Sequence, residues 1–127
     1  MNSTILLVED NEQNRYLATF LLERAGFRVV HAHTGCEGIE MAVREKPALV
    51  LMDIHMPKMD GYEAAHQLMT TQGCERIPIV AVTSYAMSGD RERAIAKGFV
   101  GYIEKPIETE SFVSTIRGFL PAEEVGV

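Results

Sequence analysis

Carboxylates, a hydroxyl and an ammonium stand at four separated places in this chain, each just after an apolar run. Ile5-Leu6-Leu7-Val8 leads into Glu9-Asp10, Leu49-Val50-Leu51-Met52 into Asp53, Ile79-Val80-Ala81-Val82 into Thr83-Ser84, and Val100-Gly101-Tyr102-Ile103 leads to Lys105-Pro106. If the runs are neighbouring parallel strands, their carboxyl ends converge on one crevice. Three carboxylates there would repel one another. At a separation near 4 Å and an effective dielectric near 20, each like-charge pair costs about 4 kcal/mol. A hard divalent cation offsets that repulsion, and all-oxygen ligation suits Mg2+, which keeps several of its waters, with Mn2+ as a substitute. Glu9-Asp10 alone could equally cap the helix that follows, because acids favour a helix N-terminus. Asp53 at the equivalent place on a second strand favours the metal site.

Asp53 lies between a buried run and the loop His55-Met56-Pro57-Lys58-Met59-Asp60-Gly61, whose Pro and Gly punctuate a turn. A carboxylate accepts a phosphoryl group when metal and cations offset the charge that builds up. Thr83 offers a hydroxyl and a neighbouring N–H to a phosphoryl oxygen, and Lys105 offers a point charge. Taken singly, they read as an ordinary strand-end threonine and a solvated surface lysine; their placement after the fourth and fifth runs joins them to the site. X-Pro bonds are cis in only about 5% of cases, usually at tight turns. Lys105-Pro106 is expected to be one, which would aim the lysine back across the sheet end.

Such convergence requires particular elements. The runs at 4–8, 48–52 and 78–83 are apolar on both faces, as strands inside a parallel sheet are. Phe27 to Ala32 and Val100 to Ile103 are more polar and fit places nearer an edge. Between the runs lie amphipathic segments. Leu17, Phe20, Leu21 and Ala25 make one helical face closed by Gly26. Thr34 and Glu37 form a capping-box pair before Ile39, Ala42 and Val43, and Asp60 and Glu63 repeat it before Ala64, Leu68 and Met69. Ser88 and Asp90 open a charged helix reaching Lys97-Gly98, and Thr109 precedes Phe112, Val113, Ile116, Phe119 and Leu120. Five strands each followed by a helix predict an α/β open sheet, whose strand order the pattern does not reveal.

With 127 residues and 46% hydrophobic content the chain reads as one domain, its core about 4–120 with a short tail at 121–127. A net charge of −6 without a basic run argues against nucleic acid or an anionic membrane as direct partner. No apolar stretch approaches the ~20 residues of a membrane span, and the first residues lack the charged start of a signal peptide. Cys36 and Cys74 have no metal-like spacing, and a reduced, cytoplasmic setting is the simplest expectation. His31, His33 and His66 read as surface or strand residues.

Four segments together resemble the receiver domain of two-component response regulators: Leu7-Val8-Glu9-Asp10-Asn11, Leu51 through Gly61, Val80-Ala81-Val82-Thr83 and Tyr102-Ile103-Glu104-Lys105-Pro106. The likeness runs from about Thr4 to Leu120. Val8-Glu9-Asp10-Asn11 with Asn14 is most similar to receivers of hybrid kinases and to single-domain regulators of phosphorelays. The resemblance implies a flavodoxin-like sheet in the order 2-1-3-4-5, an order known from a receiver-type protein. It further implies that Asp53 is the phosphoacceptor and that Asp10 and Asp53 ligate Mg2+ directly. The backbone carbonyl of His55 would be a third ligand, with Glu9 acting mostly through water. Thr83 and Lys105 would hold the phosphoryl oxygens, and Tyr102 would be an aromatic switch that turns inward as Thr83 moves toward the phosphoryl group. His55 and Tyr85, each two positions beyond a site residue, would tune the lifetime of the phosphorylated form by obstructing water.

The implied partners are a histidine kinase or histidine phosphotransfer protein, and a downstream protein target bound in trans on the face of the fourth helix, fifth strand and fifth helix. Tyr85-Ala86-Met87 either adds apolar surface to that face or seals the loop onto the core. Such a protein catalyses only its own phosphorylation and dephosphorylation and is not otherwise an enzyme. A receiver excised from a hybrid histidine kinase would read similarly, although Met1 just before the first strand favours a stand-alone protein. An Asp-nucleophile phosphohydrolase of the dehalogenase type would need its nucleophile after the first strand with a second acid two residues on; here Asp10 is followed by Asn11-Glu12, and the chain leaves no room for a cap domain. A pure interaction module would have no need of the complete set of chemical residues.

Overall fold

The computed structural model describes residues 3–56, 59–84 and 87–120. Strands and helices alternate: β1 (Thr4–Val8), α1 (Glu12–Arg24), β2 (Arg28–Ala32), α2 (Gly35–Glu45), β3 (Leu49–Asp53), α3 (Gly61–Met69), β4 (Ile79–Thr83), α4 (Asp90–Ala96), β5 (Gly101–Glu104) and α5 (Phe112–Phe119). All neighbouring strands pair in parallel, in the order β2-β1-β3-β4-β5. This is the flavodoxin-like arrangement that the resemblance implies. The order reverses beside β1, which pairs β2 on one side and β3 on the other, so the crevice of an open α/β sheet lies at the carboxyl ends of β1 and β3.

Alternate residues of each strand face opposite layers. Leu6, Val8, Val50, Met52, Ile79 and Ala81 bury one face against Ala42, Ala64, Leu68 and Ala94 of α2, α3 and α4. Ile5, Leu7, Leu49, Leu51, Val80 and Val82 bury the other against Ala18 and Leu22 of α1 and Phe112 and Ile116 of α5. Every residue of β3 and β4 is buried, whereas β2 has an exposed start and half-buried middle. The double-sided apolar runs are therefore the interior strands, and the more polar run at 28–32 is an edge.

The start signals act largely as the sequence predicts. Thr34 Oγ1 accepts from the Glu37 N–H at 3.1 Å, while the Glu37 carboxylate accepts one residue earlier than in a standard box, from the His33 N–H at 3.0 Å. Asp60 Oδ1 accepts from the Glu63 N–H at 3.0 Å. Gly26, at a φ of 99°, follows the last turn of α1 in the left-handed region that favours glycine.

Three local expectations need correction. On α1 Ala18 and Leu22 are buried against the sheet and Leu21 packs beside them as expected, while Phe20 is 48% exposed and stacks on Tyr16 with ring centroids 6.5 Å apart. A narrow helical stripe meets the sheet there, and small Ala18 lets the backbone approach where Phe20 would hold it off. Ser88 lies outside α4, which starts at Asp90 after Gly89. The residue before α5 is Ser111, not Thr109, and it makes no side-chain cap bond. The tail at 121–127, Tyr85 and the loop residues Pro57 and Lys58 lie outside the described residues. Among those described, no helix is long and apolar enough to cross a membrane.

Candidate functional site

The backbone ladder continues past the strand ends and holds the residues just beyond them. The Glu9 N–H donates to the Ala32 carbonyl at 3.0 Å, Ile54 N–H to Val82 O at 3.1 Å, and Lys105 N–H to Thr83 O at 2.7 Å. Glu9, Asp53 and Thr83 are the buried polar residues among those described, at 3%, 6% and 0% exposure. All three stand at the same edge of the sheet. Burying such groups is costly unless they are paired, and the pairing is visible. One Lys105 ammonium, its side chain 7% exposed, bonds Glu9 Oε1 and reaches Asp53 Oδ2 at 3.3 Å. The other oxygens take main-chain donors: Asn11 N–H to Glu9 Oε2 at 3.1 Å and His55 N–H to Asp53 Oδ1 at 2.9 Å.

Asp10 completes the cluster from the solvent side. One carboxylate oxygen each of Glu9, Asp10 and Asp53 lies within 4.8 Å of the others. Three carboxylates against one ammonium leave two negative charges uncompensated when all are ionised. Burial accordingly raises the Glu9 carboxyl above its ordinary value; the Lys105 hydrogen bond opposes this, the Asp53 charge adds to it, and the Asn11 N–H and Lys105 charge pull it back. An all-oxygen, net-negative donor set of this kind fits a hard divalent cation such as Mg2+.

The residues expected at the site are thus brought together: Glu9, Asp10, Asp53, Thr83 and Lys105 share one sheet edge, and the Lys105-Pro106 bond is cis. In this structure Lys105 bridges two of the acids, and Glu9 is the more deeply held of the adjacent pair, whereas Asp10 is exposed. His55 is exposed beside the pocket, its N–H on Asp53. Tyr102 departs from the picture of an outward ring that later turns in. It is 5% exposed, packed in the core beside Ala94 and Phe99, and its buried hydroxyl has no hydrogen-bond partner among the described residues. Arg91 of α4 covers the ring.

Two contributors escape sequence reasoning. Gly61 looks like turn punctuation, but a Cβ there would sit 2.6 Å from both the Asp53 carbonyl oxygen and Ile54 Cα. The first turn of α3 packs directly on the backbone that carries Asp53, and only glycine permits it. Arg15 donates from Nη1 to the Glu9 carbonyl at 2.9 Å. Its spacing of six from Glu9 is no signal in itself, because the contact depends on how α1 leaves the sheet.

The family model of the response regulator receiver domain matches residues 5–117. The polar-differentiation response regulator DivK of Brucella ovis is 38% identical over 120 residues, covering 94% of this chain and 98% of that protein. Among solved structures, the receiver domain of a sensor histidine kinase from Pseudomonas aeruginosa, with a magnesium ion coordinated in its active site cleft, is 31% identical at a TM-score of 0.84, covering 94% of this chain and 98% of that one. The Vibrio cholerae chemotaxis protein CheY4 superimposes at a TM-score of 0.88 with 24% identity over 94% of this chain and 100% of that one, a likeness of fold. With the acids, hydroxyl and lysine gathered at the switch point, and with that match over nearly its whole length, the chain belongs to the response regulator receiver domain family.

Proposed function

We propose that this chain, as a single receiver domain working in the cytoplasm, accepts a phosphoryl group on Asp53 from the phosphohistidine of a kinase or a phosphotransfer protein. It then signals by binding a protein target in trans. The observation that carries this reading is the one buried ammonium of Lys105 shared by Glu9 and Asp53, with Thr83 buried at the next strand end. With a divalent cation held by the acids, Lys105 and Thr83 are placed to meet the added charge of a phosphoryl group.

Glu9, Asp10 and Asp53, with the His55 carbonyl, are the groups that would hold Mg2+, whose chemistry is to offset charge on the acid and phosphoryl oxygens. Everything else falls to the chain itself. The His55 N–H fixes Asp53 Oδ1 and so orients the carboxylate. As an Asp53 oxygen bonds to phosphorus, the phosphorus–nitrogen bond of the donor breaks and the imidazole leaves with a proton from solvent. Lys105 shifts its charge toward the new phosphoryl oxygens, and the Thr83 hydroxyl donates to one of them. The exposed His55 beside the pocket, with Tyr85, obstructs the attacking water and lengthens the life of the product.

Aspartyl phosphate carries nearly two negative charges and three acceptor oxygens. At about 1.5–3 kcal/mol per charge-assisted hydrogen bond, Thr83 and Lys105 supply roughly 3–6 kcal/mol. Inverting a 1:99 population takes about 5.5 kcal/mol, so these two contacts suffice for a switch. The output face is α4, β5 and α5. Because Tyr102 is already inward, the motion of Thr83 acts by altering how α4 covers that ring.

Incubation with a small acyl phosphate and Mg2+ should label the protein once, with chelator or Asp53→Asn abolishing the label. Labelling that persists in Asp53→Asn, or that needs no divalent cation, overturns the reading.

A further inference from the structure

Three residues, Glu9 to Asn11, connect β1 to α1 and carry two of the three acids. Their backbone is pinned on both sides. Upstream, the Glu9 N–H is tied to Ala32 of the edge strand β2 at 3.0 Å. Downstream, Asn11 caps α1, its side chain accepting from the Asn14 N–H at 2.9 Å and its carbonyl from the Arg15 N–H at 3.0 Å. The Glu9 side chain is held by Lys105 and the Asn11 N–H. Between these anchors lies the Glu9–Asp10 peptide, and its carbonyl is where the Arg15 guanidinium bonds, at 2.9 Å. Rotation of that peptide plane would turn the Asp10 N–Cα bond and re-aim the side chain that carries the exposed carboxylate, which has no comparable restraint of its own among the described hydrogen bonds.

We propose that Arg15 is a positioning residue for cation binding: by holding the Glu9 carbonyl from the first turn of α1, it sets where the Asp10 carboxylate stands relative to Glu9 and Asp53. This rests on the reading of the pocket as a divalent-cation site and adds to it a residue that touches neither metal nor phosphoryl group. Partners that orient ligands from behind typically change metal affinity by 10–100-fold when removed. Arg15 is itself a cation near a cation site, so charge alone predicts that neutralising it tightens Mg2+ binding. Positioning predicts the opposite. A role in general stability predicts a lower melting temperature with affinity unchanged.

Calorimetric titration of Mg2+ into the parent protein, Arg15→Gln and Arg15→Lys, with thermal melts of each without metal, separates these. Arg15→Gln should bind Mg2+ about tenfold more weakly despite its more negative charge. Arg15→Lys, which keeps a charged donor of similar reach, should recover most of that loss. The loss should also appear at temperatures where both variants are fully folded. Equal or tighter binding by Arg15→Gln overturns the role of Arg15 while leaving the pocket intact as a cation site. A parent protein that binds no Mg2+ overturns the reading of the pocket, and the positioning role with it.

Discussion

The Arg91 guanidinium lies over the ring of Tyr102, its central carbon 5.3 Å from the ring centroid. This contact joins α4 to β5 across the face expected to read out phosphorylation. α4 itself is short and contributes only Ala94 as a buried residue, so a cation over a ring is a sizeable part of its attachment. Beneath Arg91 the Tyr102 hydroxyl is buried without a partner among the described residues, and burial, then the Asp90, Glu104 and Tyr62 charges, push the phenol above its ordinary value of 10.0, against the pull of Arg91. It stays neutral at physiological pH.

Two substitutions should therefore act in opposite directions. Tyr102→Phe removes a buried polar atom that gains nothing in this state and should stabilise the unphosphorylated protein by about 1–2 kcal/mol. Arg91→Ala removes the cover and should cost about 0.5–1 kcal/mol. Urea unfolding midpoints at constant m-value check both. A Tyr102→Phe protein that is less stable than the parent would show that the hydroxyl finds a partner in solution.

The acidic pocket should be frustrated when no cation is bound. Burial first, and then the Asp53 charge, raise the Glu9 carboxyl against the pull of Lys105, and both acids share one ammonium. Asp53→Asn relieves that repulsion and should stabilise the metal-free protein by roughly 1–3 kcal/mol, given the size of like-charge interactions at such distances. Added Mg2+ should then raise the melting temperature of the parent and leave Asp53→Asn nearly unchanged. Lys105→Met should do the reverse of Asp53→Asn, costing about 3–5 kcal/mol without metal, because it strands two buried carboxylates. Thermal melts with and without Mg2+ read all three.

Acid sensitivity should trace in part to His31 on β2. Its Nε2 lies 2.8 Å from Thr19 Oγ1 of α1. Burial lowers its pKa from 6.5, the Arg15 and His33 charges lower it further, and only Glu23 opposes. A depressed folded-state value means the folded protein binds fewer protons than the unfolded chain in that window. The stability His31 supports is thus fully present above about pH 6.5 and is lost as pH falls through its depressed value. Unfolding midpoints measured from pH 7.5 down to pH 5 should fall more steeply for the parent than for His31→Gln. Parallel curves would remove His31 from the account.

Much of the site was legible without coordinates because its chemistry sits at strand ends, and strand ends are marked by local pattern. Glu9-Asp10, Asp53, Thr83 and Lys105 each follow an apolar run, and short runs that are apolar on both faces, set between amphipathic segments, read as buried strands of a parallel sheet. Residue type and local periodicity carry that information along the chain, as they do for the caps at Thr34 and Asp60. What tertiary structure alone decided depends on which surfaces meet. Ala18 rather than Phe20 faces the sheet because helix approach selects the smaller residue. Gly61 is required by a backbone 2.6 Å away that sequence spacing does not reveal. Lys105 divides its charge between Glu9 and Asp53, Arg15 reaches the Glu9 carbonyl, and Tyr102 lies inward under Arg91, all through contacts between segments far apart or differently aimed. The identities of the reacting groups are local properties; their distances, burial and shared charges arise only when the sheet brings its carboxyl ends together.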